Sequence, residues 1–153
     1  MDIQKTEQLF KDIKNLEQKY RLSYKEILDL AEKKNIGIPL SIFNKKLGSL
    51  ESIVKYLKEN LKLSIREIAF LTARKEQPIR TTYNRARKKL VPELKARGKA
   101  LPLSIIENKS LSVLESIVAH LLSYNYTLNQ VSSILKRDYK TVWTIRQRIN
   151  NKT

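Results

Sequence analysis

Two copies of one pattern fill most of this chain, and that duplication restricts the fold more than any other feature. The segment IPLSI at 38–42 returns as LPLSI at 101–105, and LESIV at 50–54 returns unchanged at 114–118. The copies lie 63 to 64 residues apart. Ile65, Ile68, Leu71, Ile79, Thr81 and Arg85 match Leu128, Val131, Ile134, Val142, Thr144 and Arg148 at a constant offset of 63. Apolar and polar positions recur together, so each copy is expected to repeat both a buried face and an exposed one. A unit of about 50 residues buries few side chains alone, so packing between the copies and against the first two helices is expected to supplement each core.

Within a copy the apolar spacing is helical. Leu50, Ile53, Val54 and Leu57, like Leu114, Ile117, Val118 and Leu121, recur at three and four residues and form one stripe of a first helix. Ser64 with Glu67 is a capping box that opens a second helix carrying Ile65, Ile68, Ala69 and Leu71, and Thr127 with Gln130 repeats it. The run breaks into polar residues at Thr72–Gln77, and Pro78 predicts the start of a third helix at its favoured first-turn position. That helix keeps Ile79, Tyr83, Ala86 and Leu90 on one face. IPLSI and LPLSI are read as short helical turns plugging apolar residues between units. The expected fold class is therefore all-α, a tandem of trihelical units over 38–90 and 101–153, joined by a basic linker at 91–100. Only three Gly and four Pro in 153 residues agree with helix.

Residues 1–37 read as an N-terminal helical hairpin. Leu9, Ile13, Leu16 and Tyr20 fit one stripe of an amphipathic helix, and Ser23 with Glu26 caps a second carrying Ile27, Leu28, Leu30 and Ala31. No basic helix follows it, so the hairpin is a packing or degenerate unit.

The stretch SIREIAFLTARKEQPIRTTYNRARKKL, 64–90, resembles the helix-turn-helix of sigma-factor region 4 and of response-regulator (LuxR-like) output domains. The likeness is carried by LSIREIA and NRARKKL and covers about 27 residues; the turn ARKEQP has no glycine. The resemblance implies a double-stranded DNA partner, with the third helix of each unit in the major groove, and transcription regulation. It also implies RNA polymerase or other transcription proteins as further partners. The candidate base-reading residues are Gln77, Arg80, Thr81, Asn84 and Arg85 in the first copy, with Arg87, Lys88 and Lys89 continuing the basic face. In the second they are Lys140, Thr141, Trp143, Thr144, Gln147 and Arg148. Arg can bridge a guanine edge, Asn or Gln an adenine edge, and a Thr methyl can touch thymine. Arg74, Lys75, Arg97, Lys99, Lys136 and Arg137 are candidate phosphate contacts. Two such helices in one chain predict a monomer that covers two half-sites about 10 base pairs apart. Trp143 stands where the first copy has Arg80, and it is read either as a packing residue or as an exposed ring against DNA.

Charge points the same way. The net charge is +16, distributed as +1 over 1–37, +11 over 38–100 and +4 over 101–153. A polyanion is the favoured partner, because basic side chains gain affinity by releasing condensed counterions. The excess centres on the 64–90 motif and the linker VPELKARGKA, which suits a flexible connection along phosphate. Counterion release works equally on structured RNA or a ribosome, and sigma-type units also dock on proteins, so both readings stand beside DNA. There is no cysteine and one histidine, His120, on a packing helix, with no glycine-rich phosphate loop. No enzyme activity, metal or other cofactor is expected. No apolar run approaches the about 20 residues of a membrane span, and the amino terminus is too polar for a signal peptide. The expected location is cytoplasmic, on the nucleoid.

Overall fold

The computed structural model describes residues 2–33 and 35–153. Among them the chain forms eight α-helices and one short antiparallel strand pair, so the predominantly helical class holds. The first two helices, α1 (Ile3–Tyr20) and α2 (Tyr24–Glu32), make the amino-terminal hairpin. The Ser23 hydroxyl accepts from the Glu26 amide at 3.2 Å and starts α2. Leu22, Ile27 and Leu30 are buried, whereas α1 buries no residue fully and packs only through its second half. The Tyr20 ring meets Phe70 edge-on with centroids 5.3 Å apart, which seats the hairpin on the helix containing Phe70.

Then follow β1 (Gly37–Pro39), α3 (Ser49–Lys55), α4 (Ile65–Thr72) and α5 (Glu76–Lys89). The second half runs through the same order: β2 (Ala100–Pro102), α6 (Val113–Ser123), α7 (Leu128–Leu135) and α8 (Tyr139–Lys152). The caps expected at Ser64 and Thr127 close in both directions. Ser64 accepts from the Glu67 amide at 3.1 Å while Glu67 accepts from the Ser64 amide at 3.0 Å. Thr127 and Gln130 do the same at 3.2 and 2.8 Å. Helix α5 starts at Glu76, earlier than Pro78 predicts, so Pro78 is the third helical residue. Its missing N–H is still harmless there, because amides of the first turn have no acceptor within the helix.

IPLSI and LPLSI differ from the expected helical turns. Their first residues are extended, and only Leu40–Ile42 and Leu103–Glu107 coil into short 3-10 turns. Pro39 and Pro102 explain this, since a proline drives the residue before it out of helical geometry. Ile38 and Leu101 are thereby extended and pair with each other; Gly37 pairs with Pro102 and Pro39 with Ala100. The pair continues through Leu40 N–H to Lys99 C=O and Leu103 N–H to Ile36 C=O, both 2.9 Å.

The two halves match in length but carry two compensating single-residue shifts, because the offset is 63 at IPLSI, 64 at LESIV and 63 again at the Ser64 cap. Between LESIV and that cap the first half holds one extra residue. The structure absorbs it as a π-helical turn over Tyr56–Asn60, closed by Leu61 N–H to Tyr56 C=O at 3.3 Å. Such turns are how helices accept single insertions. The turn also brings Glu59 to the fully buried Lys55, whose Nζ donates to it at 2.7 Å. A buried ammonium without a partner would be strongly destabilising.

One core unites the halves. Ile38, Ile42, Leu47, Ile53, Val54 and Leu57 join Leu103, Ile106, Ile117, Val118 and Leu121 in a single buried cluster, and α3 packs on α6. The linker is not a free connection. Leu94 is buried, its carbonyl accepts from Asn60 Nδ2 at 2.8 Å, and the Ser41 hydroxyl donates to Lys95 C=O and accepts from Arg97 N–H, each at 2.9 Å.

Candidate nucleic-acid interface

Helix α5 is held by Ile79 and Ala86, both fully buried, with Tyr83 and Leu90 half-buried beside them. Helix α8 is held by Val142, Ile145 and Ile149. This anchoring leaves Gln77, Arg80, Arg85, Arg87, Lys88 and Lys89 exposed on α5, with Thr81 and Asn84 half-buried. On α8, Lys140, Thr141, Trp143 and Arg148 are exposed, and Thr144 and Gln147 are half-buried. The connection into each helix turns at a left-handed residue, Ala73 (φ 52°) and Lys136 (φ 54°), where a glycine would be the usual occupant. Trp143 is 45% exposed, so its ring lies outside the buried core.

Acidic side chains hold several of these basic groups. Arg80 donates to Glu76 at 2.8 Å, one helical turn away. Lys89 donates to Glu51 at 2.9 Å, and Lys152 does the same to Glu115 at 2.7 Å. Glu51 and Glu115 each also accept an amide at the start of the unit's first helix, from Gly48 at 2.8 Å and from Ser112 at 2.9 Å. The Lys152 hydrogen bond, then the Ser112 amide, lowers the Glu115 carboxyl below its ordinary pKa. Burial pushes the Glu51 carboxyl up, but Gly48, Lys89 and Arg85 outweigh it and the net shift is downward. Lys89 is thus a strut between the end of α5 and the start of α3, in addition to being a surface cation.

The two turn arginines are both partly buried. Arg137 donates to the carbonyls of Asn44 at 2.8 Å and Leu47 at 2.9 Å. These bonds make its guanidinium a tie between the halves, a role not expected from the sequence, while the side chain also lines the clefts beside both basic helices. Arg74, its counterpart, is partly buried and donates to Thr72 C=O at 2.9 Å. Lys109, from the second half, donates to that same carbonyl at 3.1 Å. Burial, and then the nearby Arg74, lowers the Lys109 pKa. The Glu107 carboxylate acts in the opposite direction, and both cations share the Thr72 carbonyl. Lys45 lies in the same cleft as Lys136 and Tyr139, again contributed by the other half. Sequence reasoning passed over Lys45 and Lys109, although the repeated Asn-Lys at 44–45 and 108–109 was a signal for them. In the linker Arg97 and Lys99 are exposed, on backbone that is hydrogen-bonded in place. Lys75 and Lys136 are exposed beside the turns.

The exposed sides of α5 and α8 open on neighbouring clefts. One is lined by Thr82 and Arg85 of α5, by Gly48–Glu51, by Ser112–Leu114 and by Arg137. The next is lined by Ser112, Leu114 and Glu115 together with Lys140, Thr141, Thr144 and Arg148 of α8. The first turns of α3 and α6 therefore form the floor between the two basic helices. Thr82, Ser49 and Ser112 were not anticipated at this surface, because their places in it depend on contacts between the halves. His120 lies elsewhere, 4.8 Å from the Tyr124 ring and beside the strand pair.

Among the described residues no helix is long and apolar enough to cross a membrane. No protein-family model, curated protein or solved structure matches the chain.

Proposed function

We propose that this protein is a site-specific double-stranded DNA-binding protein, a transcriptional regulator built from two helix-turn-helix units that resemble sigma-factor region 4, acting on the nucleoid. The observation that carries the reading is the matched exposure of α5 and α8 on neighbouring clefts. Each is braced by two apolar-faced helices, and each carries Thr and Arg at equivalent places, Thr81 and Arg85 or Thr144 and Arg148, of which Arg85, Thr144 and Arg148 line the clefts. The +16 charge adds an electrostatic attraction for any duplex. Arg80, Asn84, Gln77 and Gln147 then read base edges, while Lys75, Lys88, Lys136, Arg97 and Lys99 meet phosphate.

Fluorescence anisotropy with labelled duplex DNA and with structured RNA, at two salt concentrations, tests this. The expected result is tighter binding to duplex DNA, with affinity falling steeply as salt rises. Equal or tighter binding to RNA under the same conditions would transfer the reading to an RNA- or ribosome-binding protein. A protein contact accompanies the DNA contact in this proposal, because α1 leaves Ile3, Leu9 and Phe10 exposed, away from the second half of that helix through which the hairpin packs. The partner proposed for that surface is a component of the transcription machinery.

A further inference from the structure

The geometry points to a duplex target whose two half-sites are inverted relative to each other and unequal, bound by a single chain. This inference rests on the DNA-binding reading and specifies which DNA.

The strand and helix contacts between the halves are reciprocal, although the side-chain ties of Arg137 to Asn44 and Leu47 and of Lys109 to Thr72 run one way only. Exchanging each residue for the one 63 positions away turns the pair Gly37–Pro102 into Ala100–Pro39, and returns Ile38–Leu101 to itself. The two flanking bonds, Leu40 N–H to Lys99 C=O and Leu103 N–H to Ile36 C=O, exchange in the same way. Helix α4 packs on the turn at Leu103–Glu107, and α7 packs on the equivalent turn at Leu40–Ile42. Helix α3 packs on its own equivalent, α6. A solenoid, in which each unit follows the last by translation, joins unlike surfaces; here like surfaces meet, as they do in a two-fold homodimer. The chain is in this sense an internal dimer.

The direction of that two-fold decides the target. It passes between the strands, which lie beside His120 and Leu121 in the later turns of α6. It leaves through the first turns of α3 and α6, which meet in the cleft that Thr82 and Arg85 of α5 also line. Helices α5 and α8 therefore stand on either side of the axis, on the face from which it emerges. Duplex DNA has two-fold axes of its own perpendicular to the helix, and alignment of the two axes presents the same helix end to inverted half-sites. Direct repeats would require translation between units.

The half-sites are unequal because the exposed positions have diverged. Thr81 and Arg85 are retained as Thr144 and Arg148, but Gln77, Arg80 and Asn84 become Lys140, Trp143 and Gln147. Positions read by the retained pair should be the same in both halves, and those read by the other three should differ.

Selection of bound duplexes from a random pool with the full chain, followed by titration of synthetic sites, provides the test. The expected product is an imperfect inverted repeat bound by one chain, and reversing one half at constant spacing weakens binding about 100-fold as one helix loses its site. A direct repeat, a single half-site bound as tightly as two, or two chains per site overturns the inference while leaving DNA binding intact. Enrichment of no duplex over random sequence removes the DNA reading and this inference with it. The triple variant Lys140→Gln, Trp143→Arg and Gln147→Asn, with its fold checked by circular dichroism, copies the face of α5 onto α8. It is expected to select a more symmetric palindrome, and an unchanged preference would overturn the assignment of these positions.

Discussion

The carboxylate of Glu115 serves two purposes at one point, capping α6 and gripping the last turn of α8 through Lys152. Its folded pKa is lowered, so its stabilisation is present above the unfolded carboxylate pKa and is lost as pH falls through the folded value. Glu115→Gln keeps an acceptor for Ser112 but loses the charge. It is expected to destabilise the protein by about 1 kcal/mol at neutral pH, with the difference from the parent vanishing once the pH falls below the folded pKa of Glu115. Urea denaturation on either side of that pKa checks this. Trp143 offers a different probe, because it is the single tryptophan and its ring is open to solvent. Trp143→Ala should leave thermal stability within about 0.5 kcal/mol of the parent and weaken duplex binding. The parent's fluorescence should change on adding duplex; a large loss of stability with unchanged affinity would assign Trp143 to packing.

At the scale of elements, the strand pair is small but stringent. A Cβ added at Gly37 would lie 2.9 Å from the Cβ of Ala100, its own equivalent across the two-fold. Two equivalent residues close to a symmetry axis cannot both carry a methyl group there, and the chain uses glycine on one side only. Gly37→Ala is expected to cost about 1–3 kcal/mol through overpacking. Adding Ala100→Gly should recover most of that loss, and thermal melts of the single and double variants decide it. Additive losses would mean the two positions do not share one space. The π-helical turn shows a second local asymmetry. It lets the first half hold one more residue at this point while Ile53 and Leu57 stay buried as Ile117 and Leu121 do. The bond from Leu63 N–H to Leu57 C=O accordingly closes over one residue more than that from Tyr126 N–H to Leu121 C=O. The extra residue also positions Asn60 against the linker.

The whole molecule is held by contacts that cross between the halves. Arg137 is the clearest, because its guanidinium satisfies two backbone carbonyls about 90 residues earlier in the chain. Arg137→Ala is expected to destabilise by about 2 kcal/mol, since both acceptors lose a charged donor. Lys136→Ala, one residue away and exposed, should leave stability unchanged and reduce the slope of log affinity against log salt by about 1. Denaturant titration and salt-dependent anisotropy separate the two roles. A salt slope altered by Arg137→Ala with stability intact would place that side chain on phosphate instead. The undivided core further predicts one cooperative unfolding transition for both halves.

Whatever is local and periodic could be read from the residues alone. Capping pairs, apolar spacing and the duplication are written within a few residues of one another, so the helices, their buried faces and the basic sides of α5 and α8 were legible in order. Even the π-helical turn was present as a change of offset from 64 to 63. How the copies meet became visible only in three dimensions. Identical units can follow one another by translation or face one another across a two-fold, and their sequences are the same in either case. The choice was made by residues far apart in the chain, Ile38 with Leu101 and Arg137 with Asn44 and Leu47, whose partners no short-range pattern encodes. That is why Arg137 reads as a surface cation in the sequence and serves as an internal tie in the fold.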